Sequence, residues 1–578
     1  MSQTERQALA SGYERMSAWS RLLDQINVYP VADGDTGRNL VVSLAPLRRP
    51  EFTGQRLVRA LLLSARGNSG NIAARFMEGL LAHEGSDEPL AARAKRAAEL
   101  ARTAVAEPQP GTMLTLLDTL ARGLEGLGGD LSHKGTTALL DQLEQAVHHT
   151  ISQLPQLQAA GVVDAGALGI FLLLEGWLRA LEGAPEQLRD VAAAFPAMVA
   201  YAPDAAAARP SAHGFCVDAV LRANSLDEAA LREITLGGES AVTLRHGDYV
   251  KVHLHTDDRA ALRARLEQVG QVVQWAWDDL EEQAVRHARP RPEQRLHVIT
   301  DAAGSITAAQ ADELGVTLLD SYINLGEDLS VPESHVDPEE LYREMLRGVK
   351  VSTSQASVYE RHQHYQRALA QHGRALYLCV GSVFTGNHQV VSDWCANNDA
   401  GGQLTVIDSG AASGKLGVCA LATARRSLQA EDAAEVVAFA RGALQRAGEF
   451  IYIHQLRYLA AGGRLSRGSA LFGDLLHLKP VVTPTPQGAQ KVGMCRGFEA
   501  QLAHAMARLQ EAVLGDGAGA LIMVEHTDNA DELRHKVVPL VERRFPAAEV
   551  WLQPVSLTSG AHMGPGTWAV AFLPPEQA

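Results

Sequence analysis

The spacing of apolar residues is the feature that most constrains the fold. Over the first third of the chain this spacing has the period of an α-helix. Alanine and leucine dominate residues 1–190, and β-branched runs are few. Apolar residues recur every three or four positions through 56–64, 90–106, 112–126, 137–153 and 167–182. This period is typical of amphipathic α-helices, and Gly-rich breaks separate the stretches. Residues 1–190 are therefore predicted to form an all-α domain with Gly-rich loops between its helices.

The pattern changes after a Pro/Ala-rich connection at residues 195–212, which is predicted to be a domain boundary. In residues 213–285 the segments "HGFCVDAVLRA" and "DYVKVHLHT" alternate in polarity as β-strands do, and 258–268 has a helical period. These residues are predicted to form a small α+β domain.

A basic linker with two prolines, 285–295, precedes the last part of the chain. Short apolar runs then end in polar residues, and amphipathic helices such as 431–448 lie between some of them. The runs are "LHVITD", "RALYLCVGS", "QLTVIDS" and "ALIMVEHT". Residues 295–578 are therefore predicted to contain a mostly parallel sheet with helices on its faces, which binds ligands beyond the carboxyl ends of its strands.

Length and charge narrow the classes of protein. A chain of 578 residues is expected to form two to four domains. The net charge of −15 argues against general affinity for nucleic acid or anionic membranes, and no apolar run is long enough to predict a membrane span. The polar N-terminal segment lacks the apolar core of a signal peptide, and the five cysteines are scattered. A cytoplasmic protein is expected.

Two aspartates, Asp33 and Asp35, lie one glycine apart in "VYPVADGDTGRNL", residues 28–40. The segment is too rich in glycine for a stable helix, and carboxylates at this spacing repel each other unless water or a cation separates them. A solvated turn and a divalent-metal site are both compatible with the segment alone. Close carboxylates suit Mg²⁺, which prefers carboxylate and phosphate oxygens.

Three further Gly-bearing breaks adjoin predicted helices: "ARGNSG" at 65–70, "PGTMLT" at 110–115 and "GVVDAGALG" at 161–169. Glycines let backbone N–H groups approach phosphates, and helix N-termini favour anions. Each break alone is also compatible with an ordinary turn. Together they are compatible with a phosphate-binding site that complements a metal at Asp33 and Asp35.

In order and spacing, "NVYPVADGDTGRNL", "SARGNSGNI", "GTMLTL" and "AGVVDAGAL" resemble the dihydroxyacetone-kinase-like (DAK2-type) ATP domain of bacterial fatty-acid kinases. The resemblance implies a barrel of antiparallel helices over residues 1–190 with ATP at one end. It also implies that Asp33 and Asp35 bind a pair of Mg²⁺ ions and are catalytic. The residues implied to lie at the nucleotide are Thr36, Asn39, Gly67, Asn68, Ser69, Gly70, Thr112, Met113 and Asp164.

Two positions depart from the related kinases. Dihydroxyacetone kinases have a third metal-binding aspartate upstream of the pair, where this chain reads Ile26-Asn27-Val28. Asn27 is therefore either a contact of the metal site or the cap of a turn. Arg38 replaces a threonine of the family pattern, and no role is predicted for it.

Cys216, His253 and His255 could bind a metal in the middle domain. His-x-His on a strand places both rings on one face, and a cysteine from a neighbouring strand would complete a site that suits Zn²⁺. Two exposed histidines and an unrelated buried cysteine are the alternative. The stretch resembles the zinc-carrying middle domain of the same kinases, with Asp218 where that family often has glutamate, and a structural or substrate-positioning role is expected. The fourth ligand is not predicted.

Residues 295–578 resemble the DegV family of fatty-acid-binding proteins, which implies a two-lobed α/β domain. The motifs that carry the resemblance are "VITDAAGSI" (298–306), "VSTSQAS" (351–357), "GSVFTGN" (381–387), "VIDSGAASGKLG" (406–417), "LRYLAAGGRLS" (456–466), "LLHLKPVV" (475–482) and "GAHMGPGTWAVAF" (560–572).

A fatty-acid carboxylate in an apolar slot needs hydrogen-bond donors, because an unpaired buried charge is costly. Thr353, Ser354 and Thr385 offer hydroxyl groups, and the resemblance favours Thr353 and Thr385. The other residues implied near the carboxylate are Gly386, Asn387, Arg464 and His562. Ala302 follows Asp301 where the family has serine, so one family hydroxyl is absent.

These resemblances imply an ATP-dependent fatty-acid kinase whose catalytic and acyl-binding modules are fused. The fatty-acid carboxylate, already ionised at neutral pH, would attack the γ-phosphorus of ATP and give an acyl phosphate and ADP for lipid synthesis. The expected partners are ATP, Mg²⁺, Zn²⁺, a fatty acid, a downstream acyl-phosphate acyltransferase and a second copy of the chain in a homodimer. A lipid-binding or regulatory protein with an inactive kinase domain is the alternative. A dihydroxyacetone-type kinase would need a substrate-binding histidine module that residues 295–578 do not resemble.

Overall fold

The computed structural model describes residues 3–49, 51–82, 88–105, 107–199, 201, 214–222, 227–236, 239–281, 292–326, 329–461 and 478–576. The chain divides into two compact units, residues 1–290 and 291–578, and the division falls in the linker 285–295. No helix of the described residues is both long and apolar enough to cross a bilayer.

The first part of unit 1 is helical. Its helices are α1 (Gln3–Ala18), α2 (Ser20–Gln25), α3 (Thr36–Leu44), α4 (Gly54–Ser64), α5 (Gly67–Leu81), α6 (Leu90–Arg102), α7 (Met113–Leu127), α8 (His133–His149), α9 (Pro155–Ala160), α10 (Ala165–Leu181), α11 (Val191–Ala194) and α12 (Pro196–Val199).

The central helix is α10, which packs against α1, α2, α3, α7 and α8. It is apolar on most sides and is buried along most of its length, as expected for a helix with neighbours all round. Glycines let α1 approach it closely, since a Cβ on Gly12 would lie 2.4 Å from the carbonyl oxygen of Leu173. Further from α10, α5 packs against α3, α4 and α6, and α6 packs against α7.

The second part of unit 1 is a four-stranded antiparallel sheet with strand order β2-β3-β1-β4 and two helices. Its elements are β1 (Phe215–Arg222), α13 (Glu228–Leu236), β2 (Glu239–His246), β3 (Tyr249–Thr256), α14 (Arg259–Val269) and β4 (Val272–Asp279). One face is apolar and packs with leucines of α13 and α14 in a small core. The other face carries polar residues, because side chains alternate along each strand.

Unit 2 contains three sheets and eleven described helices. Its elements are β5 (His297–Asp301), α15 (Ala308–Leu314), β6 (Thr317–Leu319), β7 (Ser321–Leu325), β8 (Leu329–Pro332), α16 (Pro338–Leu346), β9 (Val351–Gln355), α17 (Val358–His372), β10 (Ala375–Cys379), α18 (Asn387–Asn398), β11 (Leu404–Asp408), α19 (Ser413–Gln429), α20 (Ala433–Arg446), β12 (Gly448–Tyr452), α21 (Leu456–Ala461), β13 (Lys479–Thr485), β14 (Gly488–Cys495), α22 (Gly497–Ala512), β15 (Leu521–His526), α23 (Ala530–Lys536), α24 (Val538–Arg544), β16 (Glu549–Pro554), α25 (Leu557–Met563) and β17 (Trp568–Leu573).

The sheets of unit 2 differ in direction. The order β11-β10-β5-β6 is parallel throughout, whereas β8-β7-β9 is antiparallel. In the six-stranded sheet, β14-β13-β12-β17-β15-β16, only the pair of β15 and β16 is parallel.

The predicted fold class is confirmed: a helical N-terminal region, a small α+β region and an α/β C-terminal half. The strands in "LHVITD", "RALYLCVGS" and "QLTVIDS" form a parallel sheet as predicted, whereas the strand in "ALIMVEHT" is β15 of the mixed sheet, parallel to β16 and antiparallel to β17. The other pairs of the mixed sheet are antiparallel, and its connections give a reason. Two residues join β13 to β14, and so short a link requires antiparallel pairing.

Candidate functional site

Asp33 and Asp35 lie immediately before α3, in a segment that hydrogen-bonds to two other side chains, Asn27 and Asp24. Asn27 Nδ2 donates to Asp33 Oδ1 at 2.6 Å. The N–H groups of Gly37 and Arg38 donate to Asp24 Oδ1 at 2.7 and 3.1 Å. Asn27 is thus a neighbour of the aspartate pair, and Asp24, which the sequence did not single out, caps the first turn of α3.

The environment of the pair disfavours two negative charges. Burial raises the pKa of Asp33, and the charge of Asp35 raises it further. Burial also raises the pKa of Asp35, with Asp278 of β4 the largest charge effect. A bound divalent cation would reverse these shifts by stabilising the ionised forms, so the donor set fits Mg²⁺. Two implied nucleotide residues lie here: Thr36 is the first residue of α3, and Asn39 forms a hydrogen bond with Asp35.

The "GNSG" segment forms the first turn of α5, and its glycines allow α5 to lie close to α3. A Cβ on Gly67 would lie 2.3 Å from Asn39 Nδ2, and one on Gly70 would lie 2.0 Å from Ser43 Oγ. The N-terminus of α5, with Asn68 and Ser69 half-buried in its first turn, is therefore beside α3. The structure brings these two motifs together.

The other two motifs also meet. Thr112 caps α7 and accepts from Leu114 N at 3.4 Å, while Asp164 caps α10 and accepts from Ala167 N at 2.7 Å. The backbone N–H of Met113 also bonds to Asp164. Burial raises the pKa of Asp164 to about 6 despite these bonds. Asp164 therefore connects the starts of both helices.

The predicted zinc ligands converge in the middle sheet. The ligand atoms of Cys216, His253 and His255 all lie within 4.8 Å of one another, and the three residues are buried. They converge because Cys216 pairs with His255 and Asp218 pairs with His253 between β1 and β3. Among the described residues no other group of three or more cysteine, histidine or acidic side chains is so close.

The donor set fits zinc. His253 Nε2 is buried and has no hydrogen-bond partner among the described residues, so this nitrogen is available to a metal. The other ring nitrogen, Nδ1, lies 3.3 Å from Asp218 Oδ1 and 3.9 Å from Cys216 Sγ. A carboxylate on the second nitrogen of a histidine is the usual way to fix the tautomer of a metal ligand. Two imidazoles and a thiolate are ligands that Zn²⁺ prefers.

The polar face of the middle sheet contacts two of the Gly-rich motifs, "ARGNSG" at 65–70 and the aspartate segment at 28–40. Asp218 Oδ2 accepts from Gly67 N at 3.0 Å, and Lys251 Nζ donates to the carbonyl oxygen of Ala65. Arg38 forms an ion pair with Asp278. Sequence reasoning missed these contacts, although strand alternation could have placed Lys251 on the face of His253, two residues away.

In unit 2, Thr353 and His562 lie together and Ser354 does not join them. Thr353 Oγ1 is 3.1 Å from His562 Nε2, because α25 packs against β7 and β9. Ser354 is the next residue of β9 and faces the other side, where its Oγ accepts from Asn324 Nδ2 at 3.4 Å. Thr353 and His562 are therefore hydrogen-bonded to each other at this position.

Thr385, Gly386 and Asn387 connect β10 to α18, and their polar groups bond within unit 2. Asn387 Nδ2 donates to the buried Asp301 Oδ1 at 2.8 Å, and Asn387 N donates to Thr385 Oγ1 at 3.3 Å. Tyr377 also donates to Asp301, at 2.9 Å. One amide hydrogen of Asn387 thus orients Asp301, a carboxylate at the end of β5. Arg464 lies outside the described residues.

Three protein-family models match successive parts of the chain. The DAK2 domain matches residues 30–179, and the middle domain of FakA-like fatty acid kinases matches residues 212–287. The DegV family, described as uncharacterised proteins, matches residues 295–575.

Curated relatives resemble about half of the chain. Protein YloV of Bacillus subtilis is 26% identical over 310 residues, which cover 48% of this chain and 55% of that protein. The uncharacterized protein SSP1546 of Staphylococcus saprophyticus is 26% identical over 299 residues, covering 48% of this chain and 54% of that protein. The chain thus spans about half the length of the curated relatives it matches.

Solved structures of DegV proteins also match. A fatty-acid-binding DegV family protein from Thermus thermophilus is 22% identical, with a TM-score of 0.43 over 48% of this chain and 99% of that one. DegV from Bacillus subtilis, described as a fatty acid binding protein, is 17% identical, with a TM-score of 0.44 over 49% of this chain and 99% of that one.

Proposed function

We propose that this chain, which combines a DAK2 domain, a FakA-like middle domain and a DegV domain, transfers a phosphoryl group from ATP to a fatty-acid carboxylate. One observation carries the proposal: Asp33 and the buried Asp35 lie at the start of α3, and glycines hold the N-terminus of α5 beside that helix. Carboxylates and a helix N-terminus are the groups that Mg²⁺ and phosphates require.

In unit 1, Asp33 and Asp35 would hold Mg²⁺, which when bound offsets the charge of the phosphates. Asn27 keeps Asp33 oriented for this role through its 2.6 Å bond. The first turn of α5, with Asn68 and Ser69, would face the phosphates, while Thr36, Asn39, Gly67, Gly70, Thr112, Met113 and Asp164 would surround the nucleotide. Phosphoryl transfer depends mainly on such positioning and charge compensation.

In unit 2, Thr353 and His562 would bind the carboxylate of the fatty acid, with Thr385 as a further donor. A fatty-acid carboxylate is ionised at neutral pH and needs no general base. One carboxylate oxygen would attack the γ-phosphorus, and the bond from this phosphorus to the bridging oxygen of ADP would break. The products are an acyl phosphate and ADP. A downstream acyltransferase would consume the acyl phosphate in lipid synthesis.

The alternative function is a lipid-binding protein with an inactive kinase domain. One contact favours it: the guanidinium of Arg38 lies close enough to Asp35 to offset part of the rise in its pKa. A fixed cation beside the aspartates would oppose binding of Mg²⁺. This function retains the fatty-acid site of unit 2 and lacks phosphoryl transfer.

The experiment incubates the purified full chain with ATP, Mg²⁺ and oleate and traps acyl phosphate as a hydroxamate. We expect hydroxamate from the native chain, a loss of at least about 100-fold in Asp35→Ala, and native yield in Asp248→Ala, which changes an exposed turn. Equal yield from Asp35→Ala would refute the metal assignment. Lipid that co-purifies with a chain that forms no hydroxamate would support the alternative function.

A further inference from the structure

Asp218 contacts both a predicted zinc ligand and the backbone of the "GNSG" motif. Its Oδ1 lies 3.3 Å from His253 Nδ1 and 3.4 Å from Lys251 Nζ, and its Oδ2 accepts from Gly67 N at 3.0 Å. The carboxylate is 7% exposed, so water does not compete strongly for these bonds. Burial alone would raise the pKa of Asp218, but Lys251, His253 and the Gly67 N–H together lower it.

The imidazole of His253 links the state of the metal centre to this carboxylate. A neutral imidazole carries one proton, and a metal on Nε2 requires that proton to be on Nδ1. The Nδ1–H group then donates to Asp218 Oδ1. In the other tautomer Nδ1 has a lone pair that faces the carboxylate, and this arrangement is repulsive. A metal on Nε2 therefore excludes the tautomer that would break the bond between His253 and Asp218.

The second oxygen of Asp218 connects this bond to α5. Gly67 is the first residue of α5 and has a φ of +60°, a backbone conformation that favours glycine. Its N–H direction sets the course of the first turn, which carries Asn68 and Ser69. Lys251 reinforces the same contact, since its Nζ bonds to the carbonyl oxygen of Ala65 just before α5.

We propose that Asp218 is a positioning residue that couples the Cys216–His253–His255 centre to the nucleotide site, so that metal at the centre strengthens binding of Mg²⁺·ATP. The inference rests on the proposed function, because it needs a nucleotide at the start of α5. Metal at the centre fixes the His253 tautomer, the tautomer holds Asp218, and Asp218 holds the first turn of α5 in place. By thermodynamic linkage, nucleotide must strengthen metal binding by the same factor.

The test measures binding alone, without turnover. Calorimetry on the full native chain, stripped of metal or loaded with Zn²⁺, gives the affinity for the Mg²⁺ complex of a non-hydrolysable ATP analogue. We expect about 10-fold tighter binding to the zinc-loaded chain. Competition with a chromophoric chelator gives the Zn²⁺ affinity with and without the analogue, and the same factor is expected. Equal nucleotide affinities of stripped and loaded chain would overturn the coupling and leave the proposed function intact, whereas no nucleotide binding in either state would overturn both.

Two variants assign the coupling to Asp218. The coupling factor is the ratio of nucleotide affinities of the zinc-loaded and the stripped chain. Asp218→Asn keeps the size of the side chain and one acceptor but cannot accept from His253 and Gly67 together, so its coupling factor is expected to fall close to 1. Asp248→Asn, the same change in the exposed turn between β2 and β3, should keep the native factor. A native factor in a folded Asp218→Asn chain would refute the assignment.

Cys216→Ser tests the coupling from the metal centre and leaves Asp218 unchanged. This variant loses the thiolate ligand, so the nucleotide affinity should equal that of the stripped native chain whether or not Zn²⁺ is added. An affinity equal to that of the zinc-loaded native chain would overturn the coupling.

Discussion

Glu449 and Glu525 lie close together in the core of unit 2, and both are fully shielded from solvent. They lie on β12 and β15, on either side of β17, below the N-terminus of α19. Lys415 N donates to Glu449 Oε2 at 2.9 Å, and a Cβ on Gly414 would lie 2.1 Å from Glu525 Oε2. Two negative charges so close together and away from water repel each other, so the pair favours a state in which the two carboxyl groups share a proton.

The stability of unit 2 should therefore fall as the pH rises. Burial raises the pKa of Glu449 from 4.5 to about 7, and burial and the charge of Glu449 raise that of Glu525 well above its usual value. A raised pKa in the folded state stabilises the fold fully below the unfolded pKa, and this stabilisation is lost as the pH rises through the folded pKa. Between pH 5 and pH 8 the pair should cost unit 2 about 2 kcal/mol.

Glu525→Gln tests this origin, because glutamine mimics the protonated carboxyl group and can donate to Glu449. The variant should match the native chain near pH 5 and exceed its stability near pH 8. Urea titrations monitored by hydrogen exchange of amides in β12 and β15 measure the difference. Glu542→Gln, an exposed change on α24, should keep the native slope, and a native slope in Glu525→Gln would contradict the shared proton.

Tyr342→Phe should stabilise unit 2. The side chain of Tyr342 is fully buried among Ile323, Leu341 and Met345, and no residue in the described part of unit 2 forms a hydrogen bond with its hydroxyl group. An unpaired buried hydroxyl costs about 1 kcal/mol or more, which phenylalanine avoids at nearly the same volume. Thermal unfolding of the lipid-free chain measures the change.

Tyr322→Phe is the matched control, and it is expected to lower the stability of unit 2 where Tyr342→Phe raises it. The Tyr322 hydroxyl donates to Glu360 Oε1 at 2.6 Å, and both residues are buried. Removing this donor leaves a buried carboxylate oxygen without its partner and should destabilise the unit by about 1 to 2 kcal/mol. Changes of equal sign in the two variants would show that the hydroxyl of Tyr342 is paired.

Thr353→Ala should weaken fatty-acid binding, whereas Ser354→Ala should not. Thr353 Oγ1 contacts His562, while Ser354 is on the opposite face of β9. Losing one hydrogen bond to a buried carboxylate should reduce affinity about 10-fold or more. Displacement of a fluorescent fatty acid from the full chain measures this. Equal losses in the two variants would place the carboxylate elsewhere.

The pair Thr353 and Ser354 also shows what a sequence can predict. Neighbouring hydroxyl groups in "VSTSQAS" look equivalent until the segment is known to be a strand, and then alternation separates them. Conversely, Cys216, His253 and His255 converge as predicted, because His-x-His needs only strand periodicity to define a common face. Local periodicity was thus enough to predict the helices and the convergence of these three side chains.

Contacts between distant segments were not predictable in the same way. Asp24 and Asp278 affect the pKa values of Arg38 and Asp35, but the sequence on either side of them gives no sign that they belong to this site. Asp278 lies opposite Cys216 only because β4 pairs with β1 in one particular register. Such contacts depend on how the helices pack against the sheet. This packing cannot be predicted from a single sequence without homologues.

The ion pair between Arg38 and Asp278 provides the last prediction, because it joins α3 to β4 beside Asp35. Both side chains are partly shielded, with 28% and 13% exposed. Arg38→Thr should destabilise unit 1 by about 1 to 3 kcal/mol, since it leaves Asp278 unpaired next to the buried aspartates. The double variant Arg38→Thr with Asp278→Asn should recover most of that loss, because no charge is then left without a partner. A thermal double-mutant cycle on the full chain measures the coupling free energy. If the double variant loses the sum of the two single effects, the pair contributes no coupling and Arg38 serves only to compensate the charge of Asp35.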